Sequence, residues 1–337
     1  MRITIFPNTF YNKEHKWNPY IIDFISALKD ENVIVDNSPH KNPLFSLFFK
    51  KIRSDAYVFH WIENVPDYKW GYLQTLIAVL FILRIKFHAK KIIWFLHNKK
   101  THTKKHLLAK TFITNIVIKL SDYIITHSTE GINLLVQKDK SLKDKAIFIH
   151  HPTKNRINVA MQEQDFIPKY DILIWGTISR YKGVIEFLRY AKEQKLTLKV
   201  KVLGRCVSEE VYQDLFKEIT EYVDIEPYGV SFEELALHIK NAKYVLIPYF
   251  PDSILSSGIL MDSLSFGAKV IGPDVGSFKD YSTFTQLNVY TFKEYNDIEK
   301  IIKNNNNKVS IKGYINFLEE NSWKVFIRKI LKLVKKD

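Results

Sequence analysis

The sequence predicts an α/β protein of two halves, each a parallel sheet with helices packed on its faces. Three observations carry the prediction. Short β-branched or aromatic runs alternate with longer segments of helical spacing through the whole chain, as sheets with crossover helices require. The chain has 337 residues, more than a single hydrophobic core usually serves. A polar stretch with little periodicity, Thr153 to Lys169, separates the two alternating halves. The expected division is therefore a domain over residues 1–160, a second over 161–315, and a terminal amphipathic helix over 316–337.

In the first half the strand candidates are Arg2–Phe6, Asn32–Val35, Ala56–His60, Lys91–Leu96, Tyr123–Thr126 and Ala146–His150. Between them Tyr20–Leu28, Trp70–Phe87 and His106–Leu120 have helical spacing. The second half repeats the arrangement, with strands at Asp171–Trp175, Leu198–Leu203, Val223–Ile225, Tyr244–Ile247 and Lys269–Ile271. Its helical candidates are Val184–Glu193, Ser208–Thr220, Phe232–Asn241 and Ser257–Phe266. The asparagine-rich run Lys303–Lys308 reads as a turn or loop. Trp323–Lys336 sets apolar residues at helical spacing among lysines, for packing on the protein or contact with a membrane surface. In open sheets of this kind ligands sit beyond the carboxyl ends of the strands, so functional residues are expected just after strands.

Composition narrows the class. A hydrophobic fraction of 46% with 14% aromatics supplies two cores and argues against disorder. Cys206 is the single cysteine, and no Cys/His cluster has zinc-ligand spacing, which fits a reducing cytosol and no bound metal. The first residues read as a strand running into a loop at Pro7 and Asn8 rather than as a signal peptide. The most apolar run, Leu76–Leu83, spans eight residues, against the roughly 20 that a membrane crossing needs. A cytoplasmic, soluble protein is expected. Its net charge of +14 is uneven: residues 1–165 carry 25 Lys and Arg against 14 Asp and Glu, a net +11. Such a half suits nucleic acid, anionic lipid or a phosphorylated substrate, or is simply a solvated basic surface.

Three stretches follow strands and carry chemistry. The first is Trp175-Gly-Thr-Ile-Ser-Arg-Tyr-Lys-Gly183. Gly176 allows a sharp turn and close approach of a ligand. Arg180 and Lys182 add two cations suited to a diphosphate, the one as a bidentate fork and the other as a mobile point charge. The alternative is an ordinary strand–helix turn with solvated charges. The second stretch runs from Tyr249 to Gly267, where Ser256, Ser257 and Gly258 open a helix whose first N–H groups form a phosphate seat. Asp262 lies one turn along the same face, placed for a ribose diol; otherwise it is a solvated residue on a capped core helix. The third is Trp94-Phe-Leu-His-Asn98, which ends a strand with His97. Imidazole exchanges protons near neutral pH, although a lone histidine at a strand end is more often structural. His102, His106, His150 and His151 are weaker candidates of the same kind.

Taken together, Gly176, Arg180, Lys182 and Gly183, then Ser256-Ser-Gly258 with Asp262 and Gly267, resemble the donor site of glycosyltransferase family 4 and its GT-B relatives. His60-Trp61, Trp94–Asn98 and Asn18-Pro-Tyr20 add a likeness to bacterial members that build surface polysaccharides. The resemblance implies two Rossmann-like domains whose parallel sheets face each other across a cleft. It also implies transfer of a sugar from a nucleoside diphosphate sugar, with retention and without a metal. By position, Arg180 and Lys182 neutralise the diphosphate, and Ser257 and Gly258 bind its oxygens. Asp262 holds the ribose, and His97 sits beside the transferred sugar. The chain departs from the family at Ile254, where relatives often carry the first of two glutamates eight residues apart, and at Asn8–Trp17, which has no glycine.

The expected acceptor is a saccharide, lipid-linked at the inner face of a membrane. The basic–apolar segments Leu44–Arg53 and Phe81–Lys91 suit an anionic lipid interface, or equally core helices with basic outer faces. Another nucleotide-sugar enzyme such as an epimerase, or a non-catalytic nucleotide-sugar or nucleic-acid binder, uses similar features. No element carries a nucleic-acid-binding signature, so nucleic acid is not an expected partner.

Overall fold

Period-2 runs buried on both faces form the centre of each sheet, and the helices between them bury one side each. The computed structural model describes residues 1–7, 19–37, 51–99, 105–157, 167–304 and 309–336. The expectations for Asn8–Trp17, Asn18, most of Leu44–Arg53, His102, part of the polar boundary and the asparagine run fall outside these residues. The chain divides into two compact units, Met1–His150 with Trp323–Asp337, and His151–Ser322.

In the first unit the order is β1 (Arg2–Phe6), α1 (Pro19–Asp30), β2 (Ile34–Asp36), β3 (Ala56–His60), α2 (Gly71–Phe87) and β4 (Lys91–Leu96). Then follow α3 (Leu107–Leu120), β5 (Tyr123–Thr126), α4 (Thr129–Lys138) and β6 (Ala146–Phe148). The six strands are parallel in the order β2-β1-β3-β4-β5-β6. All five residues of β3 are buried, as a central strand covered on both faces requires. The expected strand at Asn32–Val35 begins later because Asn32 adopts φ 59°, a turn conformation that a strand excludes.

The second unit runs β7 (Tyr170–Trp175), α5 (Val184–Glu193), β8 (Val200–Leu203), α6 (Glu209–Phe216), β9 (Val223–Glu226) and α7 (Phe232–Lys240). It continues with β10 (Ala242–Leu246), α8 (Gly258–Ser265), β11 (Val270–Pro273), α9 (Gly276–Ser282), β12 (Val289–Phe292), α10 (Tyr295–Asn304) and α11 (Ile311–Glu320). Its six parallel strands lie in the order β12-β11-β10-β7-β8-β9. The strand order reverses between β7 and β10, so the loops leaving their carboxyl ends emerge side by side. Elements absent from the expected set are α4, β12 and α9 to α11. α4 is nonetheless marked by its cap, since Ser128 Oγ accepts the Gly131 N–H at 3.2 Å.

The last helix, α12 (Trp323–Lys335), belongs to the first unit. It buries Trp323, Phe326, Ile327, Ile330, Leu331 and Val334 in the core that contains α1, while Arg328 Nε donates to Glu31 at 3.0 Å. Among the described residues no helix is long and apolar enough to cross a membrane. Since Ile330 is fully buried, Ile330→Ala is expected to cost about 2–5 kcal/mol in urea unfolding, against a change near zero for the neighbouring Lys329→Ala.

Candidate functional site

In the second unit the turn after β7 and the start of α8 meet. Gly176 has φ 98°, a conformation that side chains resist. A Cβ placed there would lie 2.6 Å from Ile259 Cδ1 and 3.9 Å from Lys182 Nζ. Thus the ammonium group lies beside the glycine that ends β7 and the second residue of α8. Trp175 Nε1 donates to Ser263 Oγ on α8 at 2.9 Å, which ties the strand end to the helix. Gly183, at φ 64°, closes the turn where a Cβ would be 2.1 Å from the Pro248 carbonyl oxygen. A pocket at this point is lined by Trp175, Gly176, Thr177, Lys182, Pro248 and Tyr249.

Lys182 is the electrostatic centre of the cluster. Its side chain is buried, and among the described residues no carboxylate pairs with it. Its ammonium stands 5.5 Å from the centre of the buried Tyr249 ring. Burial alone pulls the Lys182 pKa down to about 8, and it pushes the Tyr249 hydroxyl up. The opening turn of α8 adds positive potential. Ser257 caps it by accepting the Leu260 N–H at 3.2 Å. Gly258, exposed and with no atom within 4 Å of a Cβ position, leaves the approach to the first N–H groups open. Ser256, half-buried, precedes it. The Lys182 ammonium and the second residue of α8 thus both border Gly176, so a cation and the first turn of a helix are close neighbours.

Arg180 is oriented differently. Arg180 and Lys182 share a 3-10 turn, in which residues two apart project to different sides. The Arg180 guanidinium is half-exposed and donates to Glu210 and Asp214 on α6, at 2.6 and 2.7 Å. Asp262, one turn after Gly258, pairs with Arg156 Nη1 at 3.2 Å. That arginine lies over the Phe232 ring at 4.2 Å from its centre and also donates to Ser265 Oγ at 2.8 Å. Ile254, where relatives in the resemblance carry an acid, is buried in the hydrophobic core of this unit.

His97 belongs to the first unit, among a set of histidines at the carboxyl ends of β3, β4 and β5. His60 ends β3, His97 follows β4 and His127 follows β5. His60 Nδ1 and His97 Nε2 are 3.0 Å apart, and the His97 ring stacks on Trp61 at 4.4 Å. His127 Nδ1 lies 2.8 Å from the Ile149 carbonyl oxygen, which can only accept, so that nitrogen carries the proton in the tautomer this geometry assigns. The other nitrogen then accepts the Tyr20 hydroxyl at 2.9 Å. Burial holds His60 well below the usual imidazole pKa and raises that of Tyr20, so both are neutral at pH 7. One N–H and one lone pair make the His60–His97 bond. His127, Tyr249 and Arg156 were not among the expected site residues. His127 obeys the same strand-end rule as His97, whereas nothing in the sequence pattern marks Arg156.

No family model and no curated protein sequence matches the chain. Among solved structures the architecture is that of GT-B glycosyltransferases, and the chain has this fold along its length. HepE of Anabaena, solved in complex with UDP-glucose, superposes with a TM-score of 0.68 at 10% identity, covering 99% of each chain. The lipopolysaccharide outer core galactosyltransferase WaaB has a TM-score of 0.63 at 14% identity, over 98% of this chain and 99% of its own. The catalytic domain of starch synthase IV from Arabidopsis thaliana, bound to ADP and acarbose, has a TM-score of 0.63 at 11% identity, over 99% and 98%.

A buried, unpaired ammonium destabilises the fold that holds it. Lys182→Met is therefore expected to raise unfolding stability by about 1–3 kcal/mol at pH 7, measured in urea. The unfolded chain holds this proton up to the ordinary lysine pKa and the folded chain only to about 8. Wild-type stability should thus rise relative to the variant as pH climbs through that window.

Proposed function

We propose that the chain is a glycosyltransferase that moves a sugar from a nucleoside diphosphate sugar to a saccharide acceptor. One observation carries the reading: a buried lysine, without a carboxylate partner among the described residues, lies beside Gly176 together with Ile259 in the first turn of α8. The bond from the anomeric carbon to the diphosphate oxygen breaks, and negative charge collects on the departing diphosphate. The acceptor hydroxyl forms the new bond to the anomeric carbon and gives its proton to the departing diphosphate oxygen. Lys182 and the first turn of α8 oppose the developing charge, with water excluded on the Tyr249 side. Ser256 and Ser257 supply hydroxyls and Gly258 a backbone N–H to the phosphates. Asp262, oriented by Arg156, takes the ribose.

Arg180 is already neutralised by Glu210 and Asp214 and would meet the diphosphate only on leaving them, so Lys182 has the leading part. His97 recognises the sugar, held in one tautomer by His60. HepE and WaaB support UDP as the nucleotide, a saccharide acceptor, and a role in surface polysaccharide synthesis. A lipid-linked acceptor at the inner face of a membrane, peripheral attachment there, and retention of configuration complete the proposal. No metal enters it.

The test is a thermal-shift and turnover series with UDP and UDP-sugars. A ligand at a hundred times its dissociation constant stabilises by about 2.7 kcal/mol, a rise of several degrees. UDP should give that rise for the wild type and not for Lys182→Met. Affinity should be greatest below about pH 8 and fall as Lys182 deprotonates above it. His97→Ala should keep the UDP shift and lose about a hundredfold in transfer. Failure of every nucleoside diphosphate to shift the melting point would remove the donor-site assignment. Sugar released or rearranged from the donor alone, with no acceptor product, would make the chain an epimerase-like enzyme.

A further inference from the structure

We infer that the outer face of α2 and α3 is a docking surface for an anionic lipid bilayer. This deepens the acceptor part of the proposed function, and it stands on the first unit alone. α2 is apolar on all sides. Its inner side, including Ala78, Ile82 and Ile85, is packed into the core with 0% exposure. On its outer side Leu73, Leu76, Leu80, Leu83 and Phe87 recur at alternating spacings of three and four, so they share one face. All five are exposed, Phe87 at 88%. α3 packs beside α2 and continues the surface with Leu107, Leu108 and Phe112, of which Leu108 is 88% exposed. Tyr72 on α2 stands edge-on to His106 at the head of α3, 5.1 Å between ring centres, so the two exposed rows adjoin.

Single exposed leucines are ordinary, but a contiguous face of this kind marks a contact site. Charge identifies its occupant. Neither helix contains an aspartate or glutamate. Lys69 and Lys105 precede the two helices and are exposed, and Lys119 ends the outer row of α3. The nearest carboxylate of the preceding turn, Asp67, is already paired with the buried Lys110 at 2.7 Å. Trp70 and Tyr72, both exposed, lie at the first turn of α2 and suit the level of lipid headgroups. Apolar side chains rimmed by cations and aromatic rings match an anionic interface, in which such helices lie flat rather than span. A second copy fits less well. A symmetric dimer would set this face against itself, cation against cation, with no acid on either helix to pair them.

The experiment uses the full chain with phosphatidylcholine vesicles, with and without phosphatidylglycerol, in co-sedimentation assays and in tryptophan fluorescence compared with Trp70→Phe. The wild type should bind the phosphatidylglycerol vesicles, less so the neutral ones, and lose affinity as salt rises. The triple variant L76Q/L80Q/L108Q, altered only at exposed positions, should keep its melting point and lose about a hundredfold in partitioning. Absence of wild-type binding at low salt would overturn the proposal, as would undiminished binding by the triple variant. A lipid-free dimer that the triple variant dissociates would assign the face to a second copy instead. The UDP shift is read on the same samples, so failure here and failure of the donor site are separate results.

Discussion

A lysine buried without a counter-ion among the described residues is the constraint on which the second unit turns. Removing an ammonium group from water is costly, and chains normally offset the cost with a carboxylate. Here Lys182 is set among Gly176, Tyr249 and the start of α8, with burial alone drawing its pKa to about 8. Much of the neighbouring geometry follows from reaching that point. Two glycines at positive φ fold the turn after β7 tightly enough, and the Trp175 indole holds α8 against the strand end. The parallel order with β7 beside β10 brings the two loops out at one edge. The arrangement holds unfavourable electrostatics, which an anion bound there as proposed would relieve.

The first unit handles polar groups in the opposite way. His60, His97, His127 and Tyr20 are buried together and linked by hydrogen bonds, and burial keeps His60 and Tyr20 neutral. Aromatic neighbours such as Phe95 and Trp61 stack on the imidazoles and exclude water. In so dry a place the bonded rings are held as fixed donors and acceptors. The same unit turns an apolar helix face outward, in contrast to the care with which its core is filled.

Much of the fold was legible because it rests on local pattern. β1, β3, β4 and β5 begin and end at the expected residues, since a run such as Ile92–Phe95 cannot be other than a buried strand in this context. The shorter amphipathic helices were harder to read. α10 fully buries Ile298 alone, with Tyr295, Ile301 and Ile302 partly covered beside it, so its apolar face is narrow and runs straight into the asparagine run. The candidate site divides along the same line. That Gly176 and Lys182 lie together in the turn after β7 follows from their order, because loops leave a parallel sheet at its strand ends.

The sequence by itself determined the alternation of strands and helices, the two-sheet α/β class and the identity of the residues at the strand ends, because these depend on side-chain periodicity and backbone freedom. Tertiary structure alone decided which charges are paired. Arg180 and Lys182 stand two residues apart, yet one is drawn to Glu210 and Asp214 while the other is enclosed beside Gly176. Asp262 meets Arg156 from 106 residues away. Such partners are fixed by the direction a turn gives each side chain and by what the fold brings opposite it, and neither is written in local spacing.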